Sequence, residues 1–191
     1  MGTGMVNRKG IMRESLYESL RELMLKKPID KITIKQICDE TGVIRATFYN
    51  YFDDKYDCLN AIVLHDLAEE GMGNLNKDSS RATIERALGN VDANRSFYRI
   101  AYNVTGQNSF EEMIQANLQQ MFEEYFRQYR KPGCIEQYSD SVLSGYYAQC
   151  MAYVIKVFVY QKDKELSVKQ AAQMMLDLMG HKFYDFVTYN N

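Results

Sequence analysis

The chain has 191 residues, 46% of them hydrophobic and 25% charged, with a net charge of −2. This is enough apolar chain to bury a core without a disulfide or a structural metal, which excludes a disordered polypeptide and a small disulfide-held scaffold. The first 52 residues carry nine Lys or Arg against six Asp or Glu, and the other 139 carry fourteen against nineteen, so a nucleic-acid partner is permitted at one end and excluded nowhere.

The chain opens on MGTGMVNRKG, which lacks the apolar centre of a signal peptide. From Arg8 to Lys27, Met12, Leu16, Leu20 and Leu23 recur at three or four residues among charged neighbours, predicting an amphipathic helix that ends at Lys26, Lys27 and Pro28. Thr33 with Gln36 three residues on is a capping-box signature for a short second helix, which stops at Gly42. A third helix follows through Arg45 to Tyr51, and Asp53 or Asp54 caps a fourth from about Lys55 to Gly71.

The segment GMGNLNKDSS, 71–80, reads as a joint. Helices are predicted beyond it near 80–89, 93–104, 108–130, 139–162 and 167–188, the last opened by a second capping box, Ser167 to Gln170. With two prolines and no sustained period-two alternation, the fold class is all-α, with about nine helices. No apolar run approaches the roughly 20 residues of a membrane span. Cys38, Cys58, Cys134 and Cys150 are widely spaced without a C-x-x-C pair, and His65 and His181 have no second ligand at helical offset. The expectation is a cytoplasmic protein with free thiols, no metal, no cofactor and no membrane.

Two short helices joined by a glycine turn make a helix-turn-helix, whose second helix lies in the major groove. Such a helix needs apolar residues on its inner face and polar or basic ones outward. In GVIRATFYNYFDDK, residues 42–55, Val43, Phe48 and Phe52 can face inward, leaving Arg45, Thr47, Tyr49, Asn50 and Tyr51 to supply the outer face.

Thr33, Gly42, Thr47-Phe48-Tyr49-Asn50-Tyr51-Phe52 and Lys55 stand at the offsets of a T-[FL]-Y-x-[HY]-F recognition helix with its leading threonine and trailing lysine. Over these roughly 50 residues the chain resembles the TetR family of transcriptional regulators. The resemblance implies an N-terminal three-helix DNA-binding domain, 1–55, a connecting fourth helix to about 75, and a ligand-binding and dimerisation domain, 76–191. It implies DNA contact at Thr33, Arg45, Ala46, Thr47, Tyr49, Asn50, Tyr51 and Lys55, with Thr47, Tyr49 and Lys55 on phosphates, Arg45 and Asn50 on base edges, and Thr33 anchoring its helix to the DNA backbone. Ile44 departs from the pattern, standing where relatives carry a capping serine or threonine, and Cys38 replaces a small alanine.

The helix over 139–162 is apolar around most of its circumference, which predicts burial all round. Gly145, Ala148 and Ala152 make a strip for close helix packing, and Met174, Met175 and Leu178 repeat on the last helix. Periodicity alone allows both helices as monomer core. The resemblance implies that they form a dimer interface, and a two-fold dimer makes a palindrome readable. It implies also an effector pocket in the body, for which Phe97, Tyr98, Tyr102, Tyr147 and Met151 are the candidates. The run NRSFYRIAYNVTGQNSF resembles a C-terminal domain type common in Firmicutes members.

The partners expected are therefore double-stranded DNA, a second copy of the chain and an unknown small-molecule effector. No nucleophile elbow, phosphate loop, H-E-x-x-H or paired-carboxylate motif supports an enzyme. The competing reading is a TetR-fold interaction module or coactivator regulated by a partner protein.

Overall fold

Over residues 8–68, 80–130, 138–162 and 166–180, the computed structural model contains nine α-helices, two 3-10 turns and no strand. The helices are α1 (Arg8–Lys26), α2 (Ile34–Thr41), α3 (Arg45–Tyr49), α4 (Lys55–Ala68), α5 (Ser80–Ala93), α6 (Arg95–Ala101), α7 (Phe110–Tyr129), α8 (Asp140–Tyr160) and α9 (Val168–Gly180), with 3-10 turns at Ile29–Lys31 and Gly106–Asn108. The predicted joint, apart from Ser80, lies outside the described residues, as do Cys134 and His181.

Helix ends fall where the local chemistry dictates. α1 closes on the bond from Lys27 N to Leu23 O, 3.1 Å, and Pro28, which has no N–H to donate, follows. At the head of α2 the Thr33 hydroxyl accepts from Gln36 N at 3.2 Å, while Gln36 Oε1 accepts from Thr33 N at 2.9 Å. Gly42 ends α2 at φ +76°, a left-handed conformation natural to glycine. Asp54 rather than Asp53 caps α4, accepting from Tyr56 N and Asp57 N at 2.7 and 2.8 Å. Ser139 caps α8, and Ser167 with Gln170 forms the second capping box.

The described residues divide into two compact units, one within Met1–Val63 and Ser96–Phe110, the other within Leu64–Arg95 and Glu111–Asn191. The first, the head, buries Leu16, Tyr17, Leu20, Ile37, Phe48 and Leu59 almost completely, and α6 adds Phe97 and Tyr98. In the second, the body, α5 packs on α8 and α9, which also pack on each other. Within this unit Arg95 bonds Asp92, donates to Phe158 O at 2.5 Å, and lies over the Phe158 ring.

α8 is not buried all round, as its composition suggested. Ala148, Met151, Ala152, Val154, Ile155, Phe158 and Val159 are buried, whereas Val142, Tyr146, Tyr153, Val157 and Tyr160 stay exposed on the opposite side. By length and composition α8, with 21 residues, is also long and apolar enough to cross a membrane, contrary to the expectation that no run comes near that length. A core helix has the same length and composition, and 44% of the most apolar stretch of α8 is buried within the protein.

Candidate nucleic-acid interface

The sequence separates the two faces of α3 by size and polarity. Phe48 and Phe52 are buried, their rings 5.6 Å apart and Phe52 5.8 Å from Tyr17 of α1, which locks the helix to its scaffold. Arg45, Ala46, Tyr49 and Asn50 are exposed, and Thr47, Tyr51 and Val43 are half-buried. The structure therefore keeps the expected outer residues on one accessible element. Thr33 is exposed at the start of α2, and since its oxygen serves the cap as an acceptor, its hydroxyl proton remains available to an outside acceptor.

Lys55 is different. Its ammonium donates to the carbonyls of Ile29, Asp30 and Ile32 at 2.8, 3.2 and 3.0 Å, one for each of its three protons. In this geometry the charge holds the 3-10 turn before α2 to the start of α4. The adjacent Tyr56 hydroxyl donates to Asp30 Oδ1 at 2.5 Å on the same turn, and that bond, with some burial, pushes its pKa up to about 12. Sequence reasoning missed this brace because the lysine's partners are backbone carbonyls, which leave no residue signature.

The N-terminus of α3 lacks a side-chain cap, as the apolar residue there led us to expect: Ile44 makes no capping bond and is 72% exposed. Cys38 fills the α2 core, and burial pushes its thiol pKa up, as burial does more strongly for Cys58. Both are thereby held as unreactive thiols.

Two helices around a left-handed glycine, the second clamped by aromatics and presenting Arg45, Tyr49 and Asn50, form a helix-turn-helix, and known proteins agree. Residues 16–62 match the family described as bacterial regulatory proteins, tetR family, and residues 78–181, more than half the chain, match a transcriptional regulator C-terminal region. The chain belongs to the TetR family.

A curated relative, the uncharacterized HTH-type transcriptional regulator YxbF of Bacillus subtilis (strain 168), is 23% identical over 182 residues, covering 87% of this chain and 44% of that protein. The chain thus spans less than half the length of that relative. Among solved structures, the dihydroxyacetone kinase operon activator DhaS superposes with a TM-score of 0.62 at 18% identity, over 88% of this chain and 94% of its own. NalD of Pseudomonas aeruginosa, the secondary repressor of the MexAB-OprM multidrug efflux pump, gives 0.56 at 15%, over 90% and 95%. These likenesses carry the TetR fold, all-α throughout the described residues. The matched families are described as regulatory proteins and transcriptional regulators.

The body residues expected in a TetR-type pocket are not gathered around one cavity. Phe97 and Tyr98 are buried in the head, where Tyr98 and Tyr102 meet the Phe110 ring edge-to-face at 5.8 and 5.2 Å. Tyr147 packs between Phe122 and Phe126, each 5.8 Å away. Met151 alone of the five lines a described cavity, an apolar space of about 20 Å³ also bordered by Leu88, Leu118, Met121, Ile155 and Met175, room for about one water molecule.

The residues expected at a dimer interface differ in how much surface the single chain leaves them. Ala148, Ala152 and Met175 are 2–5% exposed within the single chain, so they have almost no surface left to give a partner. Gly145 and Met174 are half-buried, a Cβ on Gly145 would lie 3.9 Å from Gln119 of α7, and only Leu178 is openly exposed. Small residues at helical spacing signal close packing, and here the close partners are the body's own helices.

Proposed function

We propose that the protein is a cytoplasmic, ligand-responsive transcriptional regulator that binds a palindromic operator as a homodimer and represses from it. The observation that carries this is the two-faced α3: a buried Phe48 and Phe52 beneath exposed Arg45, Ala46, Tyr49 and Asn50. In this reading Arg45 and Asn50 meet base edges, while Thr33, Thr47, Tyr49 and Tyr51 meet phosphates and fix the register. One such helix reads few base pairs, so a two-fold dimer is the economical reader.

The exposed stripe of α8 suits the dimer better than its small residues do. Val142, Tyr146, Tyr153, Val157 and Tyr160 are 36–66% exposed and repeat at 4, 7, 4 and 3 residues, one face extending about 27 Å along the helix. Tyrosine-rich apolar faces are typical of protein interfaces. Repression needs only that the bound dimer occupy the promoter, without a further activating surface.

An effector entering the space beside Met151 would be apolar and would have to displace flexible methionines, shifting the population of head spacings. The small size of that space also favours the second reading, a TetR-fold module governed by a partner protein. Selection of duplexes from a randomised library tests the main reading: enrichment of an inverted repeat, abolished by Arg45→Ala, supports it, and no enrichment by the full chain overturns it.

A further inference from the structure

Most exposed of the large hydrophobic side chains among the described residues is Ile44, at 72%. It stands at the N-cap of α3, where serine, threonine, aspartate or asparagine would bond the open N–H groups of the first turn, and it makes no such bond. The turn has inward apolar positions, taken by half-buried Val43 and buried Phe48, and Ile44 is not one of them. A lone exposed isoleucine is unremarkable on an ordinary surface. This one lies at the end of the helix whose first residues meet base edges, directly beside exposed Arg45 and Ala46.

Isoleucine has no donor and no acceptor, so it cannot bond a phosphate or the polar edge of a base. The one apolar group that a standard base pair presents in the major groove is the C5 methyl of thymine. We propose that Ile44 is a specificity-determining residue that reads a thymine methyl in each operator half-site. The proposal rests on the DNA-binding reading above, and it explains why a capping residue is absent where the helix would be more stable with one.

Replacing thymine by deoxyuridine removes that methyl and leaves base pairing unchanged. A duplex selected from a randomised library by the full chain is resynthesised with each thymine replaced in turn, and affinity is measured for the wild type, Ile44→Ala and Ile44→Ser. The expected result is a loss of about fourfold at one thymine per half-site for the wild type, the value of one buried methyl, and none at that position for either variant. Ile44→Ser, which restores a cap, should melt higher than the wild type while losing the discrimination, a pattern that a merely structural role does not produce. If wild type and variants respond alike to every replacement, the inference fails and the DNA-binding reading stands. If no duplex is enriched, both fail.

Discussion

The exposed face of α3 and the exposed face of α8 are opposites. The first offers Arg45, Asn50 and Tyr49 around a single isoleucine, the second Tyr146, Tyr153, Val142 and Val157 with hardly a charge. Both are built on helices whose inner sides are buried, so neither is needed to hold its own unit together. A polar face loses little by staying in water until a polyanion arrives. An apolar one of this length is better covered, and the covering matched to it by symmetry is a second copy of itself.

The largest effect should therefore come from charging the α8 face. Tyr146→Glu combined with Tyr153→Glu places four carboxylates in a two-fold interface, and the dimer is expected to weaken about a thousandfold, near 4 kcal/mol. Sedimentation velocity at micromolar concentration should show a monomer with an unchanged helical circular-dichroism spectrum. A dimer persisting in the double variant would break the contrast between the two faces.

Next comes Lys55, which sits beside the polar face yet behaves as part of the core. Lys55→Met removes the charged donor to three carbonyls of the 29–32 segment, of which Ile29 O keeps the Ile32 N–H at 2.9 Å, and should cost about 1.5–3 kcal/mol in urea denaturation. If the ammonium instead met a phosphate, the variant would keep its stability and its log–log salt dependence of DNA binding would fall by about one. The expected outcome is the reverse: lower stability, unchanged salt slope.

Much of this molecule was legible before its structure. Caps and breakers work within four residues, so Thr33 with Gln36, Gly42, Pro28 and Ser167 with Gln170 located their helix ends to within a residue or two. The inner and outer sides of α3 followed from size and polarity alone. What could not be read was which side of an all-apolar helix turns inward: Ala148 and Ala152 have the spacing of an interface, yet they are buried within the single chain. The internal partners of Lys55 could not be read for a related reason, since backbone carbonyls 23–26 residues away in sequence leave no pattern to find.

Arg45→Ala sharpens the contrast from the other side. An exposed side chain whose partner is outside the protein should leave the unfolding free energy within about 0.5 kcal/mol of the wild type. The same change should cost about 1–3 kcal/mol of operator affinity and relax the base preference at one position per half-site. Equal losses in stability and binding would mean that Arg45 supports the head and does not read DNA.

The smallest effect, and one with the opposite sign, is expected at Ile44. The Thr47 N–H already bonds Ile44 O at 2.9 Å, and Ile44 supplies no side-chain acceptor for the N–H groups at the start of α3. Ile44→Ser supplies one, and should raise the stability of the head by about 1 kcal/mol, the usual value of an N-cap. Little opposes the gain, because an isoleucine 72% exposed gives up few contacts when removed. Urea denaturation of the full chain followed by the near-ultraviolet signal of the head tyrosines measures it. A stabilised variant shows that the wild-type residue is held at this position against the preference of its own helix, whereas a destabilised one shows that Ile44 packs into the turn and belongs with Phe48 on the inner face.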